Sequence, residues 1–278
     1  MRAPNCRAQR GYTLLELSVS MIIALFLMAG LVTVVMHTRN ASTTQSQLEQ
    51  LHESERIALT ILANVIQETG YFPYPTSDTS SVFATGQTVT SANGSIQFTQ
   101  SGQSMAGMPN TAAPGDAIAV RFVAPTADTS GVIQNTIVNC AGGVNTDTTN
   151  PHTYTNVFQI WTVSGTTYLQ CLLTDVNNNT GLTSTKTVNL VPGLYDMQVL
   201  YGIATNGQDN NVTMYVPAAT MNANPTYWTE VTSVKIRLYF QTPQYGFSGG
   251  QVNSAATSSA VASGTQYIER VIAIMNRA

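Results

Sequence analysis

Charged residues are scarce in this sequence. Asp, Glu, Lys and Arg make up 9% of its 278 residues, whereas typical soluble domains contain about 25%. The formal net charge is only −3, and no basic footprint marks a nucleic-acid-binding surface, so we predict no nucleic-acid partner. Thr, Ser, Asn and Gln carry the polarity instead. This composition favours β-structure with polar loops, on a surface that packs among neighbours or lies outside the cell.

Metal-binding and catalytic patterns are also missing. The chain has three cysteines and three histidines, and no CxxC or Cys/His spacing indicates a zinc site. His37, His52 and His152 are scattered along the chain, and no Ser/His/Asp or Cys/His arrangement can be assembled from them. We therefore predict neither an enzyme nor a cofactor.

One long hydrophobic run dominates the N-terminal region. Residues 17–36 contain no charged side chain, and a helix of about 20 apolar residues crosses the ~30 Å hydrocarbon core of a bilayer. Arg2, Arg7 and Arg10 precede the run, with no acidic residue among them. The positive-inside rule therefore predicts a cytoplasmic N-terminus and an extracytoplasmic body.

Two features at the start of the run are unusual. The junction Gly11-Tyr12 lies in front of the apolar segment, whereas a secretory signal peptide is cleaved after it, so we expect the helix to be retained. Glu16 lies at the edge of the helix, where an unpaired carboxylate is costly. Glu16 either extends toward the membrane interface or pairs with the α-amine of Tyr12 in another subunit, freed by cleavage after Gly11.

Residues 10–17, Arg-Gly-Tyr-Thr-Leu-Leu-Glu-Leu, followed by the apolar run, resemble the class III signal of type IV pilins and pseudopilins. This resemblance implies that prepilin peptidase cleaves between Gly11 and Tyr12 and that Tyr12 becomes N-methylated. It also implies that Glu16 forms the salt bridge of subunit assembly.

The cysteines fit this processing. Cys6 lies in the predicted leader, residues 1–11, and is lost with it. Cys140 and Cys171 remain as an even pair in a compartment where disulfides persist, so we predict a disulfide between them. Closing that loop stabilises the domain by about 3–4 kcal/mol in the chain-entropy model.

The helical pattern continues past the membrane segment to Gly70. We predict that residues 12–36 form the transmembrane half of one helix and that residues 37–70 form an amphipathic half, packed on a globular domain of residues 71–278. The polar segment 39–47 leaves a break as the alternative. The apolar stripe of the second half consists of Leu48, Leu51, Ala58, Ile61, Leu62, Val65 and Ile66.

After Gly70 the sequence is typical of β-structure. Residues 73–115 predict a long connection with one strand, at 95–100. Residues 164–165, Ser-Gly, predict a hairpin turn, residues 216–229 a short helix and residues 246–264 a mobile loop. One long helix followed by strands predicts an α+β fold, with an antiparallel sheet laid against the helix. The other predicted strands are residues 117–123, 131–140, 156–163, 167–173, 185–191, 194–203, 231–241 and 266–276.

Three later segments resemble the PilW family of minor pilins. They read ESERIALTILANVIQETGY at 53–71, GDAIAVRF at 115–122 and GLYDMQVLYGI at 193–203. This resemblance implies a type IV pilin-like fold and a low-abundance pilin that primes pilus assembly or joins a tip complex. It makes other minor and major pilins, prepilin peptidase, the bacterial inner membrane and the pilus assembly platform its partners. Its globular domain is then expected in the periplasm and later on the pilus.

Two other functions stay open at this point. A minor pseudopilin of type II secretion belongs to the same superfamily and has the same N-terminal signal. A pilus-tip module that binds a glycan, a surface or a partner protein belongs to a different functional class.

Several polar and aromatic residues invite ligand hypotheses. Asp175, Asn177 and Asn179 alternate as weak calcium candidates, but the glycine and final glutamate of an EF-hand are missing, and an Asn-rich turn explains them. Residues 206–211, NGQDNN, contain a single Asp. Core and cross-strand packing, rather than a ligand platform, is predicted for the prominent aromatic residues. These are Trp161, Trp228, Tyr195, Tyr201, Tyr227 and Tyr239.

Overall fold

The computed structural model describes residues 13–73, 82–111, 114–127, 137–205, 211–241 and 265–276. The cleavage junction Gly11-Tyr12, the predicted loop 246–264 and most of the turn 206–211 lie outside these ranges. The chain divides into two compact units, residues 1–49 and 50–278, and each is described by itself.

A single helix, α1, runs from Leu14 to Gln67. It is continuous through residues 39–47, so the predicted continuity is confirmed and the alternative of a break is wrong. The chain leaves the helix at Gly70, which has φ of 75°, a left-handed conformation that glycine adopts without strain. A Cβ atom at Gly70 would also collide with the carbonyl oxygen of Asn276.

The strands of the second unit form three antiparallel sheets rather than one. A two-stranded hairpin consists of β1 (Gln87–Ser91) and β2 (Gly94–Phe98). The largest sheet contains β3 (Met105–Met108), β4 (Ala117–Ala124), β5 (His152–Val163), β6 (Thr166–Asn177) and β7 (Thr183–Pro192), in chain order. The third sheet contains β8 (Leu194–Ile203), β9 (Met214–Pro217), β10 (Val231–Gln241) and β11 (Thr265–Ala273), in the order β11-β10-β8-β9.

The short helix predicted within residues 216–229 is present. It consists of α2 (Ala218–Ala223) and a following 3-10 turn, Pro225–Thr229. The hairpin turn at Ser164-Gly165 is confirmed as well, since it joins β5 to β6.

Two predictions about strands are wrong. The connection at 73–115 contains three strands, not one, because β1 (QTVTS) and β3 (MAGM) are only five and four residues long and lack an extended β-branched pattern. Residues 137–140 are not a strand, and 131–136 lie outside the described residues. There the Asn139 side-chain oxygen accepts hydrogen bonds from the backbone N–H groups of Ala141 and Gly143. Such an Asx turn competes with strand pairing.

The main core of the second unit joins the C-terminal part of α1 to both large sheets. The predicted stripe is largely confirmed, although Leu48 is 39% exposed and lies in the first unit. Sequence periodicity missed two further apolar positions, Leu59 and Ala63. The buried helix residues in the core are Leu51, Ala58, Leu59, Leu62, Ala63, Val65 and Ile66.

A smaller core lies between the β1–β2 hairpin and the outer face of the largest sheet, and contains Ile96, Phe98, Ala106, Ala117, Ala119 and Val157. Beside it Arg121 of β4 is fully buried, with its guanidinium 3.9 Å from the ring centroid of Phe98 and 5.4 Å from that of Phe83. It donates to the carbonyl oxygens of Gln103 and Ala84. Arg121 therefore fastens the hairpin segment to the sheet.

Candidate functional site: an apolar helix with a capped glutamate

The first unit presents an apolar helical surface. Every residue of α1 between 14 and 36 is exposed, including Phe26 at 82% and Leu31 at 67%. The segment is long and apolar enough to cross a membrane. An apolar helix that its own chain leaves uncovered requires lipid or other helices around it.

The hydroxyl groups in this segment are compatible with hydrocarbon. Ser18 donates to the carbonyl oxygen of Leu14, and Thr33 donates to that of Ala29, at 2.6 and 2.8 Å. Ser20 and Thr38 form equivalent bonds within the helix. These bonds satisfy donors that would otherwise be costly in a bilayer.

Glu16 caps the start of α1. The Thr13 backbone N–H and hydroxyl donate to Glu16 Oε2 at 3.2 and 3.3 Å, and the Glu16 N–H donates to Thr13 Oγ1 at 3.4 Å. This reciprocal pattern is a capping box, and a carboxylate there also interacts favourably with the helix dipole. The signal was available in the sequence as Thr-x-x-Glu before an apolar run.

The cap bears on the predicted salt bridge. Among the described residues, Glu16 is bonded to Thr13, which is neutral and does not compensate the charge of the carboxylate. Tyr12 lies outside the described residues, so the pairing between Glu16 and the Tyr12 amine stays a prediction.

The predicted disulfide is present in the globular unit. Cys140 and Cys171 are bonded, with their Cα atoms 6.1 Å apart, and both side chains lie in the main core. Cys171 belongs to β6, whereas Cys140 lies in the loop before β5. The bridge therefore attaches that loop to the centre of the largest sheet.

The calcium candidates are engaged in hydrogen bonds. Asp175 Oδ1 lies 2.7 Å from His152 Nδ1, the Asn177 amide donates to Asp147 Oδ2 at 3.2 Å, and the Asn179 amide donates to Asn150 Oδ1 at 2.5 Å. Hydrogen bonds from Asn150 and Thr149 hold the pKa of the Asp147 carboxyl well below its usual range.

These bonds join the loop before β5 to the β6–β7 turn. Asn177 Oδ1 also accepts backbone N–H groups of Asn179 and Thr180, as expected for an Asn-rich turn. Among the described residues, no group of three His, Cys, Asp or Glu is placed to hold a metal ion.

Two carboxylates of α1 and its C-terminal turn are partly withdrawn from water. Glu55 is 4% exposed, and its Oε2 lies 3.1 Å from His52 Nδ1. Burial raises the pKa of Glu68 to about 7, and its Oε2 has no hydrogen-bond partner in the described parts of the chain. Apolar periodicity gave no indication of either environment.

The predicted core packing of the aromatic residues is confirmed for Tyr201, Trp228 and Tyr239. Tyr227 is partly buried against the main core. Trp228 and Tyr239 are 4% and 7% exposed, and Tyr201 is fully buried. Tyr201 packs edge-on against Trp228, with ring centroids 4.8 Å apart. Trp161, by contrast, is 44% exposed, so the prediction of core packing is wrong there.

Comparison with known proteins finds matching family models and a similar solved structure. The family described as Type IV Pilus-assembly protein W matches residues 157–273, and the Prokaryotic N-terminal methylation motif matches residues 6–32. A type IV-like pilin from Thermus thermophilus is 13% identical, with a TM-score of 0.39, and the match covers 82% of this chain and 97% of that chain. No curated protein matches the sequence.

The long N-terminal helix, its methylation motif and the antiparallel sheets define a type IV pilin-like protein. Within that class, residues 157–273 match the PilW family, which supports a type IV pilus minor pilin of that family. A pilin of this kind implies contacts with other pilins and processing at the methylation motif, which spans Gly11, Tyr12 and Glu16.

Proposed function

We propose that this protein is a minor pilin that primes pilus assembly or forms part of a tip complex. The observation that supports this most is α1, whose residues 14–36 are apolar and exposed and begin at a capped glutamate. The same helix continues into a globular unit, where its residues from Leu51 onward enter the core.

The mechanism follows from the two environments open to the apolar helix. In the bilayer lipid surrounds residues 14–36, whereas in a filament the same residues pack against helices of other pilins. Both environments are apolar, so the transfer costs little hydrophobic free energy. Glu16 then sets the register between subunits by pairing with a Tyr12 α-amine, because leaving either charge unpaired in the bundle is costly.

The proposed location and role follow from the same features. The helix holds the protein in the inner membrane, with the globular unit in the periplasm, where the Cys140–Cys171 disulfide persists. The prepilin peptidase and the pilus assembly platform act on it there. Its role is structural rather than catalytic.

The capping box allows a test that separates charge from helix capping. Glu16→Gln removes the charge but keeps a residue that can form a capping box, whereas Thr13→Ala removes the side chain that caps and keeps the charge. If assembly requires an ion pair, the Glu16→Gln strain makes few surface pili, while the Thr13→Ala strain remains close to wild type. Pili are counted by electron microscopy, and immunoblots of membranes verify equal protein levels.

The opposite ranking would refute the ion-pair mechanism. Normal piliation with Glu16→Gln and loss with Thr13→Ala would mean that Glu16 serves only its own helix.

A deletion strain distinguishes the pilus from the secretion pseudopilus. We expect it to lose pili and to export type II substrates normally; blocked export with intact pili would contradict the pilus assignment.

A further inference from the structure

The exposed Trp161 belongs to an ordered row of side chains. Trp161 of β5 is opposite Tyr168 of β6, which is opposite Pro192 of β7. Residues directly opposite in antiparallel strands share a face of the sheet. This face is the outer one, because the alternate residues Ile160 and Leu169 lie in the main core.

The end of the hairpin that carries Trp161 is open on one side. Strand β4 pairs with β5 only from His152 to Phe158, so residues 159–163 have no β4 neighbour. The turn is tight, since Ser164 and Gly165 have φ of 49° and 83°, as in a type I′ turn. The row therefore lies near a tight hairpin turn, with the Trp161 side chain exposed.

A chain of amides runs parallel to this row. It lies two residues away on β5 and β6 and three residues away on β7, where a bulge shifts the register. The Ala92 N–H donates to Gln159 Oε1 at 2.6 Å. Gln159 Nε2 donates to Gln170 Oε1, and Gln170 Nε2 donates to Asn189 Oδ1, both at 2.8 Å. Gln159 and Gln170 are buried, whereas Asn189 is exposed.

The direction of this amide chain is fixed. A backbone N–H can only donate, so Gln159 must present its oxygen to Ala92, which then orients Gln170 and Asn189 in turn. The last group, Asn189 Nδ2, must be a donor, and in the described chain it donates no hydrogen bond. Such chained amides polarise one another and hold the terminal donor in place.

We propose that the Trp161 face, defined as Trp161, Tyr168 and Asn189, binds a neutral oligosaccharide. The exposed indole of Trp161 and the half-buried phenol of Tyr168 offer flat apolar surfaces with polar edges, on which the C–H face of a pyranose ring packs. Asn189 Nδ2 supplies a fixed donor for a sugar hydroxyl or ring oxygen. A few placed polar groups on a mainly apolar surface are the usual composition of such a site.

Charge and size select this ligand class. Neither row contains Asp, Glu, Lys, Arg or His, because their six members are Gln159, Gln170, Asn189, Trp161, Tyr168 and Pro192. Two strand spacings and one two-residue step place Trp161 and Asn189 about 12 Å apart at the backbone. Two linked pyranose rings span such a distance. This site is independent of the proposed assembly role, which uses α1.

The test uses the full chain in lipid nanodiscs, because glycoside detergents would compete for the site. Maltose, cellobiose and N,N′-diacetylchitobiose are titrated separately up to about 20 mM, which detects a Kd of about 1 mM. Tryptophan fluorescence reports on the site, since the chain has two tryptophans and Trp228 is buried at 4% exposure. We expect at least one disaccharide to change the emission of Trp161.

Variants assign the contacts. Trp161→Ala and Asn189→Ala should each weaken binding about ten-fold or more, measured by calorimetry, and Trp161→Tyr should stay within about three-fold of wild type. Leu182→Ala is the matched control, because Leu182 is an exposed apolar residue, at 74%, on the β6–β7 turn. The Trp161→Ala strain should make normal pili, so the result does not depend on the assembly role.

Three outcomes would overturn the proposal. The first is that none of the disaccharides binds. The second is that binding is unchanged by Trp161→Ala, which places the sugar elsewhere. The third is loss of pili in the Trp161→Ala strain together with burial of Trp161 by another pilin, which makes this face a protein interface.

Discussion

The partly buried carboxyl group of Glu68 should make the free energy of unfolding depend on pH. Its pKa is about 7 in the folded protein, against 4.5 for an unperturbed glutamate, because of burial. Since the unfolded chain loses this proton at lower pH, the free energy of unfolding should fall as pH rises from 4.5 to about 7 and then level off. Glu68 is about half-buried, so solvent screening limits the loss to about 1–2 kcal/mol.

Glu68→Gln should remove this part of the pH dependence and make the protein more stable than wild type at pH 8. Urea unfolding at pH 5 and pH 8 measures both effects. The exposed Gln47 of α1 provides the control, because Gln47→Ala changes no ionisable group and should leave the slope unchanged. An identical slope in wild type and Glu68→Gln would assign the pH dependence to other groups.

Arg121 is a buried cation with no carboxylate partner among the described residues. Burial lowers the pKa of Arg121 to about 9, and the guanidinium is held by two rings and by backbone carbonyls. Arg121→Lys keeps the charge but loses the planar fork, and should cost about 3 kcal/mol. Arg121→Met removes the charge and leaves only carbonyls unpaired, at about 1–2 kcal/mol.

Urea unfolding measures the loss of stability in the two variants, and hydrogen exchange identifies the part of the fold that is destabilised. We expect Arg121→Lys to lose amide protection first in the β1–β2 hairpin. If Met is the more disruptive replacement, the positive charge itself stabilises the fold, contrary to our interpretation.

The Cys140–Cys171 disulfide should stabilise the loop before β5 more than strand β6. It encloses a loop with a sequence separation of 31 residues, so the Cys140→Ala/Cys171→Ala variant should lose about 3–4 kcal/mol. The loop before β5 should lose hydrogen-exchange protection more than β6, because β6 remains paired with β5 and β7. Cys6→Ala is the control and should not change stability. Equal loss of protection throughout β6 would show that the bridge supports the sheet itself.

Patterns along single elements were predictable from the sequence, whereas pairings between elements were not. Strands β8 and β10 have the predicted bounds, because each is an uninterrupted run of alternating apolar residues. The strands β1 and β3 were missed because they are short, and pairing with neighbouring strands rather than local sequence makes them strands.

The candidate site shows the same division. Glu16 was predictable because a carboxylate beside an apolar run is unusual in itself. The amide chain from Ala92 to Asn189 joins three separate parts of the sequence, so no local pattern indicates it. Trp161 was assigned to the core because alternation along β5 does not show where β4 stops covering that strand.

The proposed ion pair of Glu16 depends on a change to the whole molecule, the cleavage of its N-terminal leader. Before cleavage Tyr12 has no free α-amine, and among the described residues the Glu16 carboxylate is bonded only to the neutral Thr13. Cleavage after Gly11 would remove three arginines with the leader and create one positive charge four residues from Glu16. On the proposed mechanism, processing would convert a membrane-anchored precursor into a subunit whose helix carries both charges of an intermolecular pair.

Intact-mass and N-terminal analysis of the protein from membranes tests this directly. With an active prepilin peptidase, the chain should begin at N-methylated Tyr12; without it, residues 1–11 should remain attached. Gly11→Glu serves as a control that should stay uncleaved in both backgrounds and make no pili. An uncleaved wild-type chain, or one cut after the apolar run, would leave Glu16 without its amine. Either result would exclude subunit pairing through Tyr12.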